Sequence, residues 1–165
     1  MAPTLTEIIV RLSVALLCGA VLGWEREAHG KAAGFRTNML IALGSAAFTL
    51  LSLEIASMAP GPGQRFDPLR AIQGVIGGIG FLGAGAVIRA GGSIHGMTTA
   101  ATIWVVGAIG IACGIGALAI AIVTIVLSFF VLTVLDIFER RWIHKQPPKD
   151  QQSKKQENQH NREKQ

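Results

Sequence analysis

The hydrophobic positions of this chain fall into five long runs separated by short polar segments. The runs cover residues 5–24, 38–58, 69–90, 98–114 and 117–138. A helix needs about 20 mostly apolar residues to cross a bilayer, because lipid offers the backbone no hydrogen-bond partner. The pattern therefore predicts an all-α polytopic membrane protein with five transmembrane helices. The alternative, a soluble α/β protein with buried strands, would need frequent turn clusters and polar helix faces, and the sequence has neither.

The distribution of lysine and arginine predicts the orientation of these helices, because cytoplasmic loops are enriched in both residues. One side of the five-span arrangement carries Arg26, Lys31, Arg36, Arg89, Arg140, Arg141, Lys145 and Lys149. The other side carries Arg11, Arg65 and Arg70 and a tight turn at residues 114–116. We therefore predict an outside N-terminus and a cytoplasmic C-terminus.

The composition agrees with a membrane protein. Only 15% of the residues are charged and the mean hydropathy is +0.47, whereas a soluble domain has about 25% charged residues. The net charge of +5 comes largely from short loops and the C-terminal end, so it indicates topology and contact with lipid headgroups. No nucleic-acid partner is expected, since no aromatic residues interleave with the basic residues of the tail.

Two parts are predicted along the chain. Residues 1–142 form the membrane domain, and its first span is retained because MAPTLTEIIVRL lacks the basic leader and cleavage site of a secretory signal. Residues 143–165 form a disordered polar cytoplasmic tail with almost no hydrophobic side chains. The tail has three open roles: none, weak attraction to anionic lipid, or contact with a partner.

The segment GGIGFLGAGAVIR contains the spacing G-x-G-x-x-G at Gly78, Gly80 and Gly83. Dinucleotide binding would require a preceding strand and an acid about 20 residues further on, but the next acid after Asp67 is Asp136. We therefore interpret the glycines as helix-packing residues, in a helix that is either continuous or broken at these positions. Small residues four apart recur as Gly19 and Gly23, Gly74 and Gly78, and Gly110 and Gly114. The third span adds further small residues at Gly77, Gly80, Ala84 and Gly85.

Polar residues near the spans each have a structural and a functional interpretation. Arg11, Glu54 and Asp136 lie near span ends and are expected to reach the interface. Arg70 lies against the glycine-rich span and is a stronger functional candidate. The loop with WERE (24–27) and GFRT (34–37) is either a simple turn with internal ion pairs or a functional site. His95, Thr98, Thr99 and Thr102 either line a polar cavity or cap the fourth helix and bond its backbone.

Catalysis and cofactor binding are not expected. No nucleophile–base pair falls at one membrane depth, and Cys18 and Cys113 are predicted to lie too far apart to meet. The third and fourth spans contain no carboxylates, so a carboxylate-lined cation path is not expected. Whether a metal binds stays open.

The blocks WERE, GFRTNMLIALGSAAFTLLS, DPLR, GGIGFLGAGAVIR and GMTTAATIWVVGAIGIACG together resemble the MgtC/SapB family of bacterial inner-membrane proteins. The resemblance implies a five-span domain with a periplasmic N-terminus, a link to growth in low magnesium and, in pathogens, a role in virulence. It also implies that the protein does not itself carry magnesium, and it makes the membrane sector of the F-type ATP synthase a candidate partner. The family's motif positions fall on Glu25, Arg26, Gly34, Arg36, Thr37, Gly44, Arg70, Gly78, Phe81, Gly83, Gly85, Thr99 and Thr102. Glu27, Gly80 and Thr98 complete the set of candidate residues.

The chain departs from the family pattern in three places. Ala90 follows Arg89 where many members have an acid, and Gly74 stands where the family glutamine usually lies, one position after Gln73. The chain also ends in a short polar tail where members like the namesake continue into a cytoplasmic domain, so it is expected to be a short form.

Three functions remain open at this stage. The leading hypothesis is lateral contact with other membrane proteins, with the glycine-rich third and fourth spans as a close-packed core or docking face. The alternatives are a small oligomeric ion or solute transporter or channel, with a helix broken around Gly80 to Gly85, and a purely structural subunit. Under the leading hypothesis, Gly78→Leu is expected to disrupt assembly, and Arg36→Ala is expected to spare folding but abolish function.

Overall fold

The computed structural model describes residues 3–58, 67–90 and 93–135. Five α-helices follow one another as α1 (Leu5–Ala28), α2 (Phe35–Ser57), α3 (Pro68–Ala86), α4 (Met97–Ile115) and α5 (Leu118–Phe130). A two-stranded hairpin of β1 (Ile88–Ala90) and β2 (Ser93–His95) separates α3 from α4, and a π-helical turn, Val131–Leu135, follows α5. The predicted all-α fold with five helices is confirmed, and α1 to α4 are each long and apolar enough to span a membrane. The predicted tail at residues 143–165 lies outside the described residues.

Local sequence signals begin and end the helices. α1 begins with a capping box in which Thr4 and Glu7 bond each other's backbone amides. It ends in a Schellman motif, with hydrogen bonds from Lys31 N to Arg26 O and from Gly30 N to Glu27 O, and Gly30 has the left-handed φ of +63° that this motif requires. α3 begins at Pro68 after Asp67, whose carboxylate accepts from Leu69 N.

The third predicted span was too long. It was expected to continue to Ala90, but α3 ends at Ala86 and Val87 has an extended conformation. Ile88 then pairs with His95 and Ala90 with Ser93 in the antiparallel hairpin. The signal was present in the sequence: two glycines, at 91 and 92, separate the short segments IRA and SIH, and such a pair favours a tight hairpin turn.

The chain divides into two units, Met1–Phe129 and Phe130–Gln165. In the first unit, α2 and α4 lie at the centre, and their core is made of small and medium side chains such as Ala42, Ala46, Val106 and Ile109. α1 packs on both central helices, and α3 packs mainly on α4. α5 buries Ala121 and leaves most of its bulky side chains exposed, in agreement with the predicted lipid-facing position.

The glycines divide into packed and open positions. The third and fourth spans were expected to form a close-packed core or a docking face, and the glycines of the third span are mostly open. An added Cβ would overlap the Ala42 carbonyl at Gly110 and the Thr49 side chain at Gly114, so α4 approaches α2 as closely as predicted. On α3, Gly83 lies near Ala100, but five of its glycines have no atom within 4 Å of a built Cβ. Those five are Gly74, Gly77, Gly78, Gly80 and Gly85. α3 is also continuous through Gly80 to Gly85, so no helix break occurs there.

The first unit has two ends of different composition. The "charged end" comprises the C-terminus of α1, the N-terminus of α2, the C-terminus of α3 and the N-terminus of α4. The 29–34 turn and a contact between Gly96 and the Ala86 carbonyl bring these four termini together. The "far end" comprises the N-terminus of α1 and the C-terminus of α4. Arg11, expected at the interface, donates there to the carbonyls of Gly114 at 3.0 Å and Ile115 at 3.2 Å.

Candidate functional site

The charged end contains a buried hydrogen bond between two helices. Arg26 is on the last turn of α1 and Thr99 on the first turn of α4, and Nη2 of Arg26 donates to Oγ1 of Thr99 at 2.9 Å. Both residues are almost fully buried, at 4% exposure each. A buried guanidinium requires hydrogen-bond acceptors, because desolvating a cation is costly. The family motifs WERE and GMTT are thus joined directly by this bond.

The two acids of WERE have different roles. Glu25 is buried, and Nδ1 of His29 lies 3.1 Å from its Oε1 and 2.8 Å from its carbonyl oxygen. Glu27 is exposed, and its Oε2 accepts from Phe35 N at 2.9 Å. Gly34, the N-cap of α2, offers no side chain, so Glu27 supplies the acceptor that an N-cap residue normally provides. A Cβ on Gly34 would lie 2.8 Å from Glu27 Oε2, so a larger residue here would require a shift of the Glu27 side chain.

The loop interpretation based on internal ion pairs is wrong for Arg36. In the part of the chain that the structure describes, no ion pair joins Arg36 to Glu25 or Glu27. Arg36 and Thr37 are exposed at the start of α2. They line the charged end of a groove between α2 and α3, described below.

Asn38 is a buried residue that the candidate set missed. Its Nδ2 donates to the carbonyls of Ala33 and Gly34, the latter at 3.0 Å. It thereby holds the turn before α2, where Ala33 has a left-handed φ of +56°. The signal in the sequence was an amide side chain inside an apolar run directly after GFRT, since a polar group at membrane depth requires a partner.

The threonines of α4 are explained by backbone bonding and by Arg26. Thr102 Oγ1 donates to Thr98 O at 2.8 Å, and Thr99 accepts from Arg26. The Thr98 side chain and His95 are exposed. On α2, Ser45 and Thr49 likewise donate to Ile41 O and Ser45 O. The hydroxyl protons of Ser45, Thr49 and Thr102 are therefore used within their own helices.

A long groove of about 1100 Å³ lies between α2 and α3. Its charged end is formed by Arg36 and Thr37 on α2 and by Gly85 and Ala86 on α3. Further along, its walls contain Gly44 and Phe48 of α2 and Gly74, Gly78 and Phe81 of α3, and Ile103 contributes from α4. Apart from its charged end and Ser45, the groove is apolar.

The structure thus sorts the candidate residues into five positions. The charged end brings together Glu25, Arg26, Glu27, Gly34, Thr98, Thr99 and Thr102. The groove contains Arg36, Thr37, Gly44, Gly78, Phe81 and Gly85. Gly83 packs on α4, and Gly80 is open on another face of α3. Arg70 is exposed on the first turn of α3, the turn farthest from the charged end.

The two cysteines meet, contrary to the prediction. Cys18 and Cys113 are buried, and their thiols lie close enough to interact between α1 and α4. The prediction placed them at different depths by counting along each span. It failed because α1 begins beyond the end of α4: Arg11, two turns into α1, already lies at the last carbonyls of α4. Among the described residues, no group of three or more His, Cys, Asp or Glu could hold a metal ion.

Comparison with known proteins identifies the family. The MgtC family matches residues 12–141. The chain belongs to the MgtC family. The resemblance inferred from five sequence blocks is thereby confirmed, and the chain is a multi-pass membrane protein.

Three relatives illustrate the similarity. The chain is 42% identical over 108 residues to protein MgtC of Salmonella typhimurium, covering 66% of this chain and 43% of the relative. It is 38% identical over 140 residues to YhiD of Escherichia coli (strain K12), named as a proposed magnesium transporter, covering 84% and 65%. It is 38% identical over 124 residues to protein MgtC of Brucella abortus, covering 75% and 49%.

The chain therefore spans less than half of the Salmonella and Brucella proteins and about two thirds of YhiD. No solved structure matches the chain.

Proposed function

We propose that this protein is a non-catalytic protein of the bacterial inner membrane that supports adaptation to low magnesium through lateral contact with another membrane protein. The observation that carries the proposal is the open face of α3 formed by Gly77 and Gly80, the "outer face". Neither glycine has an atom within 4 Å of a built Cβ, and neither lines the groove. Small residues let a second helix approach closely in lipid, where apolar burial alone gives no drive to associate.

The polar groups of the charged end support a structural scaffold rather than a catalytic centre. The Arg26–Thr99 bond joins α1 to α4, and Glu27 caps α2. Each contact fixes a helix end, so the charged end would hold α3 and α4 in the register that presents the outer face. The magnesium link comes from the family and from the proposed role of YhiD. The membrane sector of the F-type ATP synthase is the candidate partner that the family resemblance implies.

The test is complementation of a deletion strain under magnesium limitation, with growth and cytosolic magnesium and ATP as readouts. Gly77→Leu adds its side chain where a built Cβ has no described atom within 4 Å, so its membrane level should match the wild type. Ala119→Leu adds the same bulk at an exposed position of α5 and is the control. We expect the wild type and Ala119→Leu to restore growth and Gly77→Leu to fail. Normal complementation by Gly77→Leu would refute the proposed contact.

Magnesium transport is a second candidate, favoured by one observation. Glu25 Oε2 and Asn38 Oδ1 are buried acceptor oxygens that find no hydrogen-bond donor within the described residues. Oxygen atoms of this kind are ligands that magnesium accepts, although it retains much of its water. Uptake of magnesium into proteoliposomes containing the full chain, compared with empty liposomes, tests this candidate. Uptake above the empty control would favour transport over lateral contact.

A further inference from the structure

The groove between α2 and α3 combines a long apolar trough with a cationic end. Arg36 is exposed there and has no hydrogen-bond or ion-pair partner within the described part of the chain. At about 1100 Å³, the groove is slightly larger than the roughly 300–1,000 Å³ of ordinary ligand pockets. The volume and the single charged end suit an elongated amphiphile.

The groove is at least as long as one leaflet of a membrane is thick. On α2 its lining runs from Arg36 to Phe48, which is about 18 Å at a rise of 1.5 Å per residue. The hydrocarbon core of a bilayer is about 30 Å thick, so one leaflet contributes about 15 Å. An acyl chain entering beside Arg36 would therefore follow the groove to the middle of the bilayer.

The walls explain why a flexible chain could enter. Gly44 of α2 and Gly74 and Gly78 of α3 have no atom within 4 Å of a built Cβ, so the groove is open where larger side chains would fill it. Ser45 also lines it, but its hydroxyl donates to Ile41 O at 2.8 Å. The trough therefore requires no polar partner.

The charged end fits an anionic headgroup. The guanidinium of Arg36 can form paired hydrogen bonds to a phosphate, and the Thr37 hydroxyl lies at the same end. The first turn of α2 adds the positive end of the helix dipole. It also adds backbone amides that form no hydrogen bond within the helix. Glu27, the exposed acid beside this turn, is already bonded to Phe35 N.

We propose that this groove binds one anionic phospholipid of the surrounding membrane, with its phosphate on Arg36 and Thr37 and an acyl chain along Gly44, Gly74 and Gly78. A helix from a second copy is less suited. Among the described acids of the charged end, Glu25 is buried and Glu27 caps α2. Neither is therefore available to pair with Arg36 of another copy. The proposal is independent of the contact proposed for the outer face, which lies on a different side of α3.

The experiment is lipid binding to the purified full chain in detergent, measured by native mass spectrometry. Phosphatidylglycerol is compared with phosphatidylethanolamine of identical acyl chains. We expect one phosphatidylglycerol to be retained in preference. Arg36→Gln should weaken its binding about tenfold, the loss of a charge-assisted contact. It should weaken phosphatidylethanolamine less, because the ammonium group of that lipid already offsets the charge of its phosphate. Lys31→Gln, which removes a charge from the exposed turn beside α1, is the control and should have no effect.

A second pair of variants tests the trough. Gly78→Leu places a side chain in the groove, whereas Gly80→Leu adds the same side chain to the same helix outside the groove. Gly78→Leu should weaken the binding of both lipids, and Gly80→Leu neither.

Four results would overturn the proposal. They are equal retention of the two lipids, equal effects of the two leucine variants, displacement of the lipid by excess inorganic phosphate, and a loss of dimers with unchanged lipid binding in Gly78→Leu. The last result would assign the groove to a second copy. The lipid-binding experiment measures no growth phenotype. A negative result would therefore refute the lipid site without bearing on the proposed magnesium function, which the complementation experiment tests.

Discussion

Arg26 of α1 donates from Nη2 to Oγ1 of Thr99 on α4, 73 residues further along the chain, and both side chains are almost fully buried. The bond joins the C-terminal end of α1 to the N-terminal end of α4, although α2 and α3 lie between these helices in the chain. A buried cation that loses an acceptor pays a desolvation penalty that water would otherwise offset. Thr99 should therefore matter more for stability than its neighbours.

Thr99→Val is expected to lower the free energy of unfolding by about 1–3 kcal/mol, because the variant leaves a buried donor without this acceptor. Thr98→Val changes an exposed side chain on the same turn and should shift stability by less than about 0.5 kcal/mol. Thermal unfolding in detergent, followed by circular dichroism, measures both. Equal melting temperatures for the two variants would contradict the role assigned to Thr99.

Gly110→Ala is expected to destabilise the fold. Its new Cβ would overlap the Ala42 carbonyl and lie 2.7 Å from Ser45 Cβ, so α2 and α4 must separate at a cost of about 1–3 kcal/mol. Gly44→Ala is the matched change on α2 at an open position, where alanine improves helix stability by about 0.5–1 kcal/mol. The two melting temperatures should therefore move in opposite directions, and a common direction would show that the α2–α4 contact is not tight.

Asn38→Leu is expected to destabilise the turn between α1 and α2. Leucine has a similar size but cannot donate to the Ala33 and Gly34 carbonyls. The Gly34 carbonyl keeps its bond from the backbone amide of residue 38, so the main loss is the donor to the Ala33 carbonyl, at a cost of about 1–3 kcal/mol. Limited proteolysis of the 29–34 turn, together with the melting temperature, reports the loss. If both match the wild type, Asn38 is not needed to hold the turn.

Arg11→Gln is expected to weaken the end of α4. The arginine bonds the carbonyls of Gly114 and Ile115, and a cation at a helix C-terminus contributes about 0.3–1 kcal/mol. Glu7→Gln removes the 3.9 Å ion pair with Arg11 but retains the capping box, so its effect should be smaller. Hydrogen exchange of the last amides of α4 distinguishes the two variants. Equal protection in Arg11→Gln and in the wild type would show that Arg11 does not stabilise the C-terminus of α4.

Much of the helical architecture could be predicted from the sequence. The predicted fourth span, 98–114, differs from α4 (Met97–Ile115) by one residue at each end, because a long apolar run and flanking glycines are local signals. The third span was predicted four residues too long because the segment from Val87 to Ala90, directly after α3, is largely apolar too. Hydrophobicity alone does not separate a helix end from a short strand.

The candidate site was predicted less completely. The family blocks drew attention to Arg26, Thr99 and Arg36, but their separate positions in a buried bond and in an open groove were not predictable. Asn38 was missed because it lies within an apolar run and its partners are the carbonyls of a turn. A single sequence shows which residues are polar, but it does not show which neighbours each will reach.

The sequence by itself determined that this protein is an α-helical membrane protein with five apolar segments, and it pointed to the family. These properties depend on length, hydrophobicity and short motifs, each of which acts within one segment. Only the tertiary structure decided that Gly110 packs while Gly78 is open, that Cys18 meets Cys113, and that Arg11 reaches the end of α4. Those outcomes depend on the rotation and relative height of helices far apart in the chain, which are set by the packing of the whole bundle.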